Sequence, residues 1–166
     1  CGTSAADAMA AVSIGSPHAA AHATTSRSGS ASRPRCLSST SRTPRGAGTG
    51  LSGGALPPGD GVLLSMAKFM RVVKMDPAAR IAVVQPGVVL GSLQRVAATH
   101  GLRFGPDPST QNRCTLGGMI GNNACGPRAV AWGRTADNVE ALDVVDGLGR
   151  RLALSAGWDA VPGLAG

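Results

Sequence analysis

Residues 115–126 read TLGGMIGNNACG: four glycines, two asparagines and no formal charge. Glycine loses more backbone freedom on folding than any other residue. A concentration of it therefore marks backbone that must turn sharply or lie close to something else. About sixty residues earlier, positions 44–61 read PRGAGTGLSGGALPPGDG, with seven glycines and three prolines. Neither 46–54 nor 117–126 contains a charged side chain. An anion held in either segment would be held by peptide N–H groups, because glycine lets successive amides converge on one point. Arg45 borders the first segment and can add charge. The competing reading is two ordinary flexible loops.

Two phosphate motifs are excluded. Gly48–Gly53, GTGLSG, matches G-x-G-x-x-G literally, but that fingerprint needs a preceding strand and a helix opening inside it. Ser and Thr precede it here, Pro57 and Pro58 follow it, and Asp76 at the distance of a ribose-binding acid belongs to a turn before Pro77. No Gly-Lys-Ser/Thr occurs, so a Walker A loop is absent.

Between and beyond the loops the chain reads clearly. GVLLSM is a short buried strand, and MRVVKMDPAARIAVVQPG is two strands joined at Asp76-Pro77-Ala78-Ala79. VVLGSLQRVAATHG is a helix with Val89, Leu90, Leu93, Val96 and Ala97 on one face, and Gly101 is placed to end it. His100 lies in its last turn and caps rather than catalyses. LRFGPDPSTQNRC is a loop. The second glycine segment and its sequel hold one or two helical turns, with Trp132 packed beneath. Arg134 and Asp137 either pair with each other or touch a ligand. VEALDVVDGLGRRLAL closes as a hairpin, with strands near 139–145 and 150–154. This order predicts an α+β fold with a mixed or antiparallel sheet and few helices.

The 166 residues suffice for one domain, and with 2% aromatics its core must come from Val, Leu, Ile, Met and Ala. The net charge of +7 suggests nucleic acid at first sight. Residues 1–45, however, hold Arg27, Arg33, Arg35, Arg42 and Arg45 against Asp7 alone, which leaves the remainder only mildly basic. Scarce aromatics also argue against base stacking. Four cysteines without a CxxC pair, at 1, 36, 114 and 125, point to reduced thiols and an intracellular protein. Cys114 and Cys125 beside the glycine segment are either inert buried thiols or redox-active ones. His18 and His22 have helical metal-ligand spacing but no third ligand, so no metal is expected. No apolar run is long enough to span a membrane.

Residues 1–43 are rich in Ala, Ser, Thr and Arg, without apolar period, and are expected to be a low-complexity leader, disordered but for a short helix in SAADAMAAV. Their composition is like that of a mitochondrial transit peptide, though no Met starts the chain.

Taken together, PRGAGTGLSGGA, VVQPGV, GLRFGPDPST and CTLGGMIGNNACGPRAVAWGRTADNVEALDVV, spread in order over residues 44–154, resemble the FAD-binding (PCMH-type) domain of the vanillyl-alcohol oxidase and p-cresol methylhydroxylase superfamily. The branch is the glycolate oxidase and D-lactate dehydrogenase type, some of whose members carry an iron–sulfur region. The resemblance implies that the two glycine loops clasp the FAD diphosphate from two sides. Gly46, Ala47, Gly48, Thr49, Gly50, Leu51 and Ser52 would form one wall. Thr115, Gly117, Gly118, Gly121, Asn122 and Asn123 would form the other, with Asn122 and Asn123 read alternatively as left-handed turn residues. Pro86 and Gly87 would pass close to the cofactor, Asp107, Pro108 and Ser109 would line the flavin ring, and Val144 would face the adenine end. With no His in the first loop, the FAD would be non-covalent.

The resemblance further implies oxidation of a 2-hydroxy acid by hydride transfer to the flavin, with an electron acceptor and an iron–sulfur region or subunit as partners, in the cytoplasm or peripherally at the inner membrane. Relatives carry a strand–helix–strand unit before the first loop. Here CLSSTSRTPRG stands in its place, so that subdomain is expected to be missing or aberrant, as a shifted reading frame upstream of about residue 44 would leave it. Residues 44–154 are then a partial FAD-binding domain and 155–166 a truncated tail. Because the substrate domain lies downstream in the family, no catalytic residue is assigned, and the fragment alone is expected to turn over nothing. The rivals are a non-enzymatic flavin-binding fragment and a basic nucleic-acid binder.

Overall fold

The computed structural model of the chain describes residues 9–13, 42–57, 59, 61–146 and 149–155. Seven strands and three short helices follow in order: β1 (Met9–Ser13), β2 (Arg42–Arg45), β3 (Val62–Ser65), β4 (Val72–Asp76), β5 (Ile81–Val84), α1 (Leu90–Ala98), α2 (Leu116–Gly121), α3 (Ala129–Trp132), β6 (Val139–Val145) and β7 (Arg151–Ser155). A 3₁₀ turn at Ala136–Asn138 leads into β6. Five strands form one antiparallel sheet in the order β4-β5-β1-β6-β7, and β2 and β3 form a separate parallel pair. The expected α+β class with mixed sheets and few helices is what the chain adopts.

The segment set apart as a leader supplies the central strand. β1 pairs with β5 on one side and β6 on the other, with Val12 opposite Ala82 and, after a bulge, opposite Val139. Val12 is fully buried in the core. This overturns the expectation of disorder, or of a short helix, at Met9–Ser13. A five-residue strand of mostly small side chains carries no readable period, and pairing on both edges overrides its weak intrinsic preference. Residues 14–41, with His18 and His22, lie outside the described residues.

A second correction concerns the entry to the first loop. Arg42–Arg45 has no apolar character yet is a strand, pairing in parallel with Val62–Ser65. Parallel neighbours need a long crossover, usually helical. Here the glycine segment 46–61 is itself the crossover. The dinucleotide fingerprint therefore fails for want of a helix, although a strand does precede it.

The core gathers Val12, Ala82, Val84, Val88, Leu90, Leu93, Phe104, Cys114, Leu116, Met119 and Val139. α1 lies against the sheet through Leu90, Leu93 and Ala97, as its pattern predicted, whereas Val96 at the edge of that face is exposed. Among the described residues Phe104 is the largest fully buried side chain, so one of only two phenylalanines anchors a core otherwise built of aliphatics. β4 and β5 are joined through the expected turn, closed by the Ala79 N–H on Asp76 Oδ1 at 3.0 Å.

Because Val12 has no exposed surface, replacing it with Ala should lower unfolding stability by about 2 kcal/mol, the transfer and cavity cost of two buried methyls. Urea denaturation followed by circular dichroism measures this. An unchanged midpoint would remove β1 from the sheet.

Candidate functional site

The site is built around one seam. Pro86 ends β5 and turns the chain through Gly87 into α1. A β-carbon on Gly87 would lie 2.1 Å from the Met66 carbonyl oxygen and 2.8 Å from that of Phe69, so only hydrogen fits there. The Gly87 N–H donates to Phe69 O at 2.8 Å. α1 begins at Val89 with no side-chain cap. Its first amides find carbonyls elsewhere, Leu90 N–H on Cys114 O at 3.0 Å and Gly91 N–H on Gln111 O at 2.9 Å. Such bonds replace a cap. In return Leu116 N–H donates to Val88 O and Gly117 N–H to Pro86 O, at 2.9 and 2.8 Å. The start of α2 is thereby zipped to the start of α1.

α2 contains three glycines in six residues, against helix propensity. Packing holds it. Leu116 and Met119, three apart, are buried on one side, and a β-carbon on Gly117 would lie 2.7 Å from Pro86 Cβ. Thr115 caps the helix, its Oγ1 accepting from Gly118 N–H at a long 3.4 Å.

The first loop meets this construction directly. A β-carbon on Gly46 would stand 2.1 Å from Thr115 Oγ1, and one on Gly50 would stand 3.5 Å from Asn122 Nδ2. The loops therefore touch at a base, Gly46 on Thr115, and face each other at a rim, Gly50 and Asn122. Gly121 has nothing within 4 Å of its β position, which leaves bare backbone open at that rim. Outside the seam, a cleft of about 290 Å³ is lined by Arg45, Gly48, Gly50, Leu51, Gly53, Ala55 and Leu56.

The two loops differ in their hydrogen bonds. Among the described residues, no amide from Gly46 to Ser52 donates to a protein acceptor; the loop then closes on itself in turns at Leu51–Ser52 and Gly54–Ala55, the second with Leu56 N–H on Gly53 O at 2.9 Å. In the second loop, N–H groups from Leu116 to Gly118 and from Asn122 to Ala124 are bonded within the protein. The first loop thus has peptide hydrogens free of partners among the described residues, whereas the amides of the second hold the helix and the seam.

The remaining predicted positions are placed as follows. Asn123 is left-handed, φ 44°, and its Oδ1 accepts Ala136 N–H at 3.0 Å, so the turn alternative describes its backbone. Asn122 Nδ2 donates to Gly118 O at 3.0 Å. Both side chains are exposed. Asp107 faces the second loop, where it accepts Arg128 N–H at 3.3 Å and pairs with Arg128 Nε at 3.3 Å. Pro108 is half-buried and Ser109 exposed. Val144 sits in β6 opposite Leu152, on the sheet rather than in either loop. Trp132 packs on Gly105, whose β position lies 2.8 Å from the Trp132 Cβ and ring. Arg134 and Asp137 do pair, but through the backbone: Arg134 N–H donates to Asp137 Oδ2 at 2.7 Å.

One positioning residue escaped the sequence reading. Gln94 on α1 holds the 102–109 loop through both ends of its amide, donating from Nε2 to Phe104 O at 2.8 Å and accepting Phe104 N–H on Oε1 at 3.0 Å. It falls on the polar side of the helical pattern, so no sequence signal marked it.

Residues 9–155, from the first residue of β1 to the last of β7, match the family described as FAD binding domain. Glycolate oxidase subunit GlcD of Escherichia coli (strain K12) is 44% identical over 119 residues, covering 70% of this chain and 23% of that protein. D-lactate dehydrogenase of Archaeoglobus fulgidus is 43% identical over 106 residues, covering 64% and 24%. Among solved structures, alkyldihydroxyacetonephosphate synthase superposes with a TM-score of 0.62 at 26% identity, over 71% of this chain and 24% of its own. The 6-hydroxy-D-nicotine oxidase of Arthrobacter nicotinovorans gives 0.61 at 22% identity, over 70% and 25%, a likeness of fold. The chain spans about a quarter of the length of these relatives.

Two outcomes check the geometry. Gly46→Ala should drive Thr115 out of its capping rotamer and cost about 1–2 kcal/mol. Adding Thr115→Ala should cost less than the sum of the single changes in a double-mutant cycle read by thermal melting, and strict additivity would separate the loops. Burial raises the Cys114 thiol above its ordinary pKa, while Cys125 is exposed. With Cys1 and Cys36 replaced by Ser, a thiol reagent should titrate Cys125 in the folded protein and Cys114 only on denaturation.

Proposed function

The chain belongs to the FAD binding domain family, and on that premise we propose that it holds FAD non-covalently where its two glycine loops meet, as the cofactor module of an enzyme that oxidises a 2-hydroxy acid. The observation that carries this reading is the run of amides in residues 46–52 that have no partner among the described residues, set against Thr115.

The residues present suit a dinucleotide. A diphosphate needs donors without bulk, and the first loop offers peptide N–H groups and the hydroxyls of Thr49 and Ser52. Gly46, Ala47, Gly48, Thr49, Gly50, Leu51 and Ser52 would hold the phosphates. From the second loop Thr115, Gly117 and Gly118 would close the base of the site. Gly121, Asn122 and Asn123 would present its open rim toward ribityl and ring. Pro86 and Gly87 bring backbone to the seam. Asp107, Pro108 and Ser109, carried on the loop that Gln94 holds, would line the ring side, and Val144 the adenine side. Bound there, FAD would supply two-electron redox chemistry. The protein's part in this chain is to bind and orient it.

The substrate class is supported by relatives whose names specify glycolate and D-lactate, both 2-hydroxy acids. An electron acceptor and an iron–sulfur region or subunit complete the proposed whole. Among the described residues no helix is long and apolar enough to cross a membrane.

Mixed with FAD and desalted, the protein should keep a flavin with quenched fluorescence and shifted absorbance. Acid precipitation should then release that flavin into the supernatant, since no His is available in residues 46–54 for a covalent link. Flavin that elutes with the salt defeats the reading, and DNA retention that falls with salt would put a nucleic-acid binder in its place. In a polypeptide carrying the rest of the relatives' length, anaerobic glycolate or D-lactate should bleach the bound flavin.

A further inference from the structure

We propose that Arg128 is a positioning residue for the ring side of the cofactor site: paired with Asp107, it locks the 105–109 loop onto the tail of the second glycine loop. The role rests on the FAD reading of that site. Asp107 turns both carboxylate oxygens to one residue. Its Oδ1 accepts the Arg128 N–H at 3.3 Å, and its Oδ2 lies 3.3 Å from Arg128 Nε. The same aspartate presses on Gly126. A β-carbon there would lie 2.3 Å from the Asp107 carbonyl oxygen and 2.5 Å from Oδ1, so only hydrogen fits. Two residues before Asp107, Gly105 meets Trp132, its β position 2.8 Å from the Trp132 Cβ and Cε3. Residues 105–107 thus run along residues 126–132, with Gly105 on Trp132 and Asp107 on Gly126 and Arg128.

The loop is fastened differently on its other side. Gln94 holds Phe104 from α1, and Gly91 N–H on Gln111 O ties the turn beyond Ser109 to the same helix. Those bonds join uncharged groups. The Arg128 pair is ionic and lies at the surface, with 51% of the arginine side chain exposed against 14% of the aspartate. A pair so exposed adds little to global stability. Its effect is local, on a stretch whose two ends are already held. That stretch runs from Asp107 through Pro108 and Ser109, the residues read as lining the flavin ring. An aspartate with both oxygens engaged by Arg128 fastens these neighbours rather than binding the ring itself. A wall set in place beforehand lowers the ordering cost that a ligand must meet. Arg128 therefore acts on ring binding through Asp107.

The test separates the ring from the phosphates. Flavin fluorescence would give the affinities of FAD and riboflavin for the parent protein, Arg128→Gln, Arg128→Lys, Asp107→Asn and the Arg128→Gln/Asp107→Asn double variant. ADP competing against FAD reports the phosphate end, and thermal melting reports the fold. Arg128→Gln should weaken FAD and riboflavin alike by about threefold to tenfold, the cost of ordering one more side chain at the wall. ADP should keep its parental affinity, and the melting temperature should fall by a few degrees at most. Arg128→Lys should recover most of the loss, because the contact runs through one nitrogen rather than a bidentate fork. The double variant should lose about as much as Asp107→Asn alone. Riboflavin carries no charge, yet the parent's advantage over Arg128→Gln in binding it should shrink at high salt, which screens the pair. A folded Arg128→Gln protein with parental FAD and riboflavin affinity, an equal loss of riboflavin and ADP, an Arg128→Lys protein as weak as Arg128→Gln, or strictly additive losses in the double variant would each overturn the positioning role and leave the FAD site standing. A parent protein that takes up no FAD would overturn both.

Discussion

The fold turns on the places where backbone meets a neighbour so closely that a β-carbon cannot fit between them. At Gly87 the neighbours are two carbonyls, at Gly117 the ring of Pro86, and at Gly46 the hydroxyl of Thr115. These contacts fall along one line running from β5 through α1 and α2 to the first loop. The bonds that accompany them, Gly87 to Phe69, Gly117 to Pro86 and Leu116 to Val88, keep that line narrow. Glycine is costly in α2 by propensity. The cost is offset by Leu116 and Met119 in the core and by the approach that the missing side chain at Gly117 allows. Without this approach the two glycine loops would be neighbours in composition only.

The two loops divide the work unevenly. The second loop bonds most of its amides within the protein and so has a fixed shape. Any contribution it made to a ligand would come from side chains at the rim, Asn122 and Asn123, and from the open backbone at Gly121. Among the described residues, the first loop leaves its amides from Gly46 to Ser52 unpartnered. Unpaired N–H groups in an exposed loop are hydrated, so the free state pays no desolvation penalty. A ligand that removes this water must replace the bonds, which an anion does better than a neutral group. On the proposed reading, charge selectivity would arise without an acidic or basic side chain inside the loop, and Arg45 at its edge would reinforce the same sign.

Much of this was legible because it is local. The helical face of Leu90, Leu93 and Ala97, the Asp76-Pro77 turn and the hairpin of Val139–Val145 with Arg151–Ser155 each carry their period or turn residues in a short window. The two glycine loops were legible as a pair because of their composition and the motifs between them. What stayed hidden depends on partners distant in sequence. β1 has too few large side chains to show a strand, and its place is set by Ala82, Val84 and Val139 on neighbouring strands. β2 is polar and owes its conformation to parallel pairing with Val62–Ser65. Gln94 looked like a surface residue because the bonds it makes are to Phe104, a loop residue whose approach no pattern announces. The internal bonds of the second loop were hidden for the same reason, since sequence shows which residues have amides but not which carbonyls will reach them.

The anchoring of the first loop bears on how tightly it can grip. Its entry is fixed by β2, by the Met66 bond to Arg45 and by the contact of Gly46 with Thr115. Beyond Gly50 the loop is held within the described residues only by its own turns, at Leu51–Ser52 and at Gly53–Leu56. Ordering a residue costs on the order of 1–2 kcal/mol of conformational entropy, and more for glycine. A ligand contacting only the fixed entry meets amides already in place, whereas one reaching past Gly50 must also order the distal turn. The smallest ordering cost therefore belongs to an anion seated near Gly46–Gly50, beside Arg45 and against the capped start of α2. That is the end of the seam where packing, free donors and positive charge coincide, and on the proposed FAD reading the phosphates rather than the flavin ring would sit at the rigid end of the site.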